Sequence, residues 1–117
     1  MASLWMVSLF SVGAVGDPLV RTFKGHTRSV RTVAADFHKR EAISGSWDKT
    51  LKLWDLDTGR CMRTFTGHSD RVRSMAADFQ VRQAISSSGD KTLKLWDIDS
   101  GRCLRTFSGH GSMVPDV

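Results

Sequence analysis

"SGSWDKTLKLWD" at residues 44–55 returns as "SSSGDKTLKLWD" at 86–97, with two changes, Gly45 to Ser87 and Trp47 to Gly89. The surroundings repeat as well, since "FKGH" at 23–26 reappears as "FTGH" at 65–68 and "FSGH" at 107–110. His26 and His68, Trp54 and Trp96, and His68 and His110 are each 42 residues apart. A fixed period of this size is the signature of stacked supersecondary units, each of which buries its apolar faces against its neighbours.

Within one period the residues predict four short strands. "SVRTVAAD" (29–36) mixes β-branched and small apolar residues, and "EAISGS" (41–46) follows a polar break. "TLKLWD" (50–55) and "RCMRTF" (60–65) alternate apolar and polar side chains, the period of a pleated strand. Between the last two lies "DTG" at 57–59, repeated as "DSG" at 99–101, where a glycine with positive φ closes a short hairpin. Helical periodicity is absent, and Pro18 and Pro115 both lie outside the repeats.

Four antiparallel strands per 42 residues, opened by "GH" and carrying "WD", resemble the WD-repeat, or β-transducin-like, family of β-propellers. The resemblance runs over residues 19–110. It implies an all-β fold with two four-stranded blades, an incomplete propeller, plus an extra outer strand on the N-terminal side. The implied organisation is an apolar leader at 1–18, the outer strand of a preceding blade at 19–25, repeats at 26–67 and 68–109, and a truncated start of another at 110–117. Two turns depart from the family pattern: "DFHK" (36–39) and "DFQV" (78–81) replace a turn usually rich in Pro, Asp and Gly, with Phe37 and Phe79 expected to pack beneath them.

The resemblance also assigns a buried structural tetrad to His26, Ser44, Asp48 and Trp54, and a second to His68, Ser86, Asp90 and Trp96. Their chemistry suits the role: an indole donor, a hydroxyl, an imidazole and a carboxylate can satisfy one another in a line. An unpaired group there would cost about 1–3 kcal/mol. The rival reading of Ser, His and Asp is a nucleophilic triad. Two sets 42 residues apart, each tied to a tryptophan and neither on a GxSxG elbow, argue against it. The histidines lack cysteine or carboxylate neighbours at metal-ligand spacing, so neither metal nor other cofactor is expected, and no enzymatic activity.

Composition fits this picture. The 117 residues are 40% hydrophobic and 25% charged, as in a soluble globular chain. Cys61 and Cys103 occupy equivalent places in successive units, which argues for reduced thiols and a cytoplasmic location. The net charge of +5 raises nucleic acid as an alternative partner. Yet the cations come in register, Arg31 with Arg73 and Lys52 with Lys94, which reads as a solvated position used twice. The stretch "MASLWMVSLFSVGAVG" at 1–16 is too short to span a bilayer. It has the apolar middle of a secretion signal and a small-residue site at 12–14, but no Lys or Arg in front, and a divergent strand or unrelated leader is the plainer reading.

Two blades cannot close a ring, so the chain is expected to be a piece of a longer propeller, the favoured reading, or to assemble in several copies into one ring, or to persist as an open pair only with a partner. The resemblance implies a protein-interaction scaffold, with a protein or peptide docking on the face that carries the "GH" loops. Trp47, Arg28 and Arg71 are the candidate partner-binding residues there, an aromatic flanked by arginine having the composition of a binding hot spot. The alternative is that Trp47 merely packs on a neighbouring turn, Gly89 standing at its place in the second unit.

Overall fold

The computed structural model describes residues 5–10 and 19–108, with side chains from residue 21 onward. The expectations for a cleavage site at 12–14, for His110 and for the tail lie outside the described residues.

Ten strands are described, and no helix, so none is long and apolar enough to cross a membrane among the described residues. The first blade is a sheet of β3 (Val30–Asp36), β4 (Glu41–Ser46), β5 (Leu51–Asp55) and β6 (Cys61–Phe65), in that order and antiparallel throughout. The second is β7 (Val72–Asp78), β8 (Gln83–Ser88), β9 (Leu93–Asp97) and β10 (Cys103–Phe107), in the same order. β2 (Leu19–His26) runs ahead of them and pairs antiparallel with β1 (Trp5–Phe10), so the N-terminal apolar stretch contributes a strand. The hairpin glycines Gly59 and Gly101 both have φ of +78°.

Alternation puts neighbouring residues of each strand on opposite faces, and the blades stack through those faces. Ile43, Leu51 and Leu53 of the first blade meet Val72, Met75, Phe79, Ala84 and Trp96 of the second in one core. A smaller cluster joins Phe23 of β2 to Ala42, Trp54 and Leu56 of the first blade. Gly45 lies on the seam, where a Cβ would come 2.8 Å from Val72. The expectation for the two turn phenylalanines divides here. Phe79 is buried at 7% exposure against the first blade, whereas Phe37 is 57% exposed.

Polar contacts add direction to the seam. Arg82 donates to Glu41 of the preceding blade at 2.6 Å and to Asp99 of its own blade at 2.9 Å. Those bonds, Glu41 foremost, raise the Arg82 pKa above its ordinary value. Arg63 on β6 donates to the carbonyl of Ser100 in the next blade, and its stem lies over Gly101, where a Cβ would come 2.8 Å from its Cδ. Arg21 and Arg63, one period apart, thus each pack on the following blade's hairpin glycine, Gly59 and Gly101.

Candidate functional site

Each "GH" loop delivers its histidine beneath the turn that joins the second and third strands of its blade. His26 Nε2 lies 2.7 Å from Ser44 Oγ, and Ser44 Oγ accepts from Trp54 Nε1 at 2.8 Å. On the other side of the ring, His26 Nδ1 lies 2.8 Å from Asp48 Oδ2. The carboxylate can only accept, so Nδ1 carries the proton and Nε2 accepts from the serine hydroxyl. The second blade repeats the line through His68, Ser86, Asp90 and Trp96, with 2.7, 2.8 and 2.9 Å separations. Gly25 admits the indole: a Cβ there would meet Trp54 Cη2 at 2.9 Å.

Threonine completes each network. Thr50 donates both its hydroxyl, at 2.6 Å, and its N–H, at 3.0 Å, to Asp48 Oδ1, while the Thr27 N–H reaches Oδ2. Thr92 and the Ser69 N–H do the same for Asp90. The "DKT" repeat carried the signal for these donors, and only its aspartate was singled out.

Charge follows burial. Desolvation lowers the pKa of His26 and His68 despite their aspartate partners, which keeps both imidazoles neutral in the fold. Burial alone would raise Asp90, but bonds from Thr92, His68 and Ser69 outweigh it and hold the carboxyl at about 2. Asp48 is lowered for the same reason, chiefly by Thr50 and His26. The order Ser–His–Asp resembles a nucleophilic relay, yet Ser44 and Ser86 are fully buried and each hydroxyl is held by a tryptophan N–H. Among the described residues no three His, Cys, Asp or Glu side chains are grouped as a metal would require.

The same turn exposes a different surface. Asp48 faces inward on its histidine while Trp47, one residue earlier, is half-buried, its N–H bonded to the Ser29 carbonyl at 2.9 Å. Thr27, Arg28, Trp47, Asp48, Lys49, Asp70 and Arg71 line a recess of about 280 Å³ between the blades. Arg28, Trp47 and Arg71 thus share one surface. The Arg71 guanidinium sits 4.8 Å from the Trp47 ring centroid, and so does that of Arg31. Arg31, Trp47, Arg71 and Arg73 line an adjoining recess of about 240 Å³. Arg31 and Arg73, taken in the sequence as one solvated position used twice, are brought together because β7 lies against β3.

Where Trp47 stands, the second blade has Gly89, and the reason is local. A Cβ at Gly89 would lie 2.8 Å from the Asp70 carboxylate, whose counterpart in the first blade is Arg28.

Stacked four-stranded antiparallel sheets, each pinned by a His–Ser–Asp–Trp line, define blades of the WD-repeat propeller class. The family model "WD domain, G-beta repeat" matches residues 17–55 and 59–97, and the chain belongs to that family. Among curated proteins it is similar to the small ribosomal subunit protein RACK1 of Caenorhabditis elegans, at 49% identity over 47 residues, 40% of this chain and 14% of that protein. It is also similar to mitochondrial division protein 1 of Malassezia globosa, at 44% over 39% of this chain and 6% of that protein. A third relative is human pre-mRNA-processing factor 17, at 40% over 37% of this chain and 7% of that protein. Each match therefore spans only a small part of its relative's length.

Proposed function

We propose that the chain is a non-enzymatic docking platform that binds a protein partner through the recess around Arg28, Trp47 and Arg71. One observation carries this reading: the tetrads consume the polar chemistry of the blades internally, while the turn that holds Asp48 presents an aromatic and basic recess outward. A half-buried tryptophan held between arginines offers a rigid, large contact at little entropic cost, the composition of an interface anchor. Free Cys61 and Cys103, both exposed, support a cytoplasmic setting.

Photo-crosslinking inside cells tests the proposal. A crosslinking amino acid at Arg28 should trap partner protein, one at exposed Met62 on β6 should not, and Trp47→Ala should abolish the Arg28 product. Equal trapping at Arg28 and Met62 would refute it. Nucleic acid is the second reading, and the in-register cations do not favour it. Lys52 and Lys94 donate to Thr64 and Thr106, Arg40 pairs with Asp57, and Arg82 with Glu41, so these charges are spread out and engaged, not aligned along a track.

A further inference from the structure

We infer that the inner part of the first blade, marked by Val33, Phe37 and Arg40, is a second docking surface, which takes one extended segment of a partner protein carrying a glutamate and, two residues on, a branched aliphatic side chain. This surface is separate from the recess at Trp47, and the seam between the blades supplies its template. In the second blade the same three positions are Met75, Phe79 and Arg82. Met75 and Phe79 are each buried at 7% exposure, in one core with Ile43 of the first blade, and Arg82 holds Glu41. In the first blade Val33 is 43% exposed and Phe37 57%, and the Arg40 side chain is 49% exposed against 20% for Arg82.

What covers the second blade defines what fits the first. β4 lies against β7 through alternate residues, which share one face of a strand. Glu41 meets Arg82, Ile43 joins the core of Met75 and Phe79, and Gly45 stands where a Cβ would come 2.8 Å from Val72. The fitting pattern is therefore Glu-x-Ile-x-Gly. Arg40 is set up to read its acid as Arg82 does. The two arginines share a left-handed backbone, with φ of 59° and 61°, and each donates Nε at 3.0 Å to an aspartate of its own blade, Asp57 or Asp99. In Arg82 that bond leaves the terminal nitrogens to take Glu41 as a fork, and Arg40 offers the same fork.

The backbone offers a seat as well. β2 carries the "RTF" of β6, and β1 pairs antiparallel with β2 as β5 does with β6. Continuing the order β6, β5, β4 from β2 and β1, the next place belongs to a strand of the β4 kind, beside β1 and close to β3. Among the described residues the β1–β2 sheet has only those two strands. A strand edge presents N–H and C=O groups that an extended segment can pair with, and the main-chain bonds give affinity while side-chain contacts give selectivity. A second copy of the chain fits less well. Its β8 has Gln83 in place of the glutamate and is already paired with β7 and β9.

The test titrates the full chain with two fluorescein-labelled peptides, EAISGS, the chain's own β4, and QAISGS. The Glu peptide should bind about tenfold tighter, as expected when charge-assisted bonds replace neutral ones. Arg40→Gln should bring the two level, Phe37→Ser should weaken both, and Arg105→Gln on β10 should leave the ratio within about twofold. Methylating the backbone nitrogens of one alternate set of peptide residues should abolish binding, and methylating the other set should spare it, because only one set faces the neighbouring strand. In the free chain, hydrogen exchange should be fast at the β1 amides that point away from β2. Circular dichroism and unfolding midpoints should be unchanged in the variants. Equal binding of the two peptides would overturn the inference, and so would slow exchange at both sets of β1 amides. Sedimentation showing a dimer that Phe37→Ser dissolves, with no peptide bound, would overturn it in favour of a second copy.

Discussion

Ser44 Oγ accepts a hydrogen bond from the Trp54 N–H and donates its own hydroxyl to His26 Nε2, so removing one oxygen strands two partners in a buried place. Ser44→Ala should cost about 2–4 kcal/mol by chemical denaturation, one unmet group at each end. Trp54→Phe together with Ser44→Ala should cost less than the sum of the two, because Trp54→Phe removes the donor that Ser44→Ala orphans. Acid acts on the same line. The native pKa of His26 and His68 lies below 6.5, so the unfolded chain binds protons first. Stability should be full above about pH 6.5 and fall as pH drops through it, with a further loss below about pH 4 as Asp48 and Asp90 protonate. Imidazole titration by NMR checks the sign directly; a native value above 6.5 would contradict it. The eight residues of the two tetrads were singled out through the family resemblance, whose markers recur in both repeats. Thr50 and Thr92 were equally visible, but a threonine beside an aspartate announces no partner until the turn is folded.

At the level of the element, strand positions followed from alternation, and the hairpins from Gly59 and Gly101. The turns before β5 and β9 were less transparent, since Lys49 and Lys91 take φ of 80° and 71°, a left-handed conformation that a sequence reader assigns to glycine or asparagine. Lys91→Gly should therefore gain up to about 1 kcal/mol, the relief of left-handed strain less the entropy glycine adds to the unfolded chain. Gly101→Ala should lose more than that, since its φ and the stem of Arg63 both oppose a methyl group. Thermal unfolding of the two variants reads both signs. The convergence of Arg31 and Arg73 was hidden for a related reason: a period reports equivalence, and equivalent residues touch only where two inner strands lie side by side.

For the whole molecule, the two blades carry matching side chains in unequal settings. Leu51 and Leu53 are buried at 0% and 4%, and Phe65 at 0%, because the second blade covers them. Their equivalents Leu93 and Leu95 are only half-buried, and Phe107 is 42% exposed. Leu53→Ala should cost about 2–5 kcal/mol, as a core truncation does, and Leu95→Ala clearly less in the same chain. Equal losses would mean that the second blade's outer face is covered in solution.

The ionic clasp at the seam carries one more consequence. Arg82 grips a carboxylate at position 41, but the matching position one period later is Gln83, an amide that cannot hold a guanidinium with the same strength. The modules are thus keyed and not interchangeable, and Glu41→Gln, which makes both locks alike, should loosen this joint by about 1–2 kcal/mol.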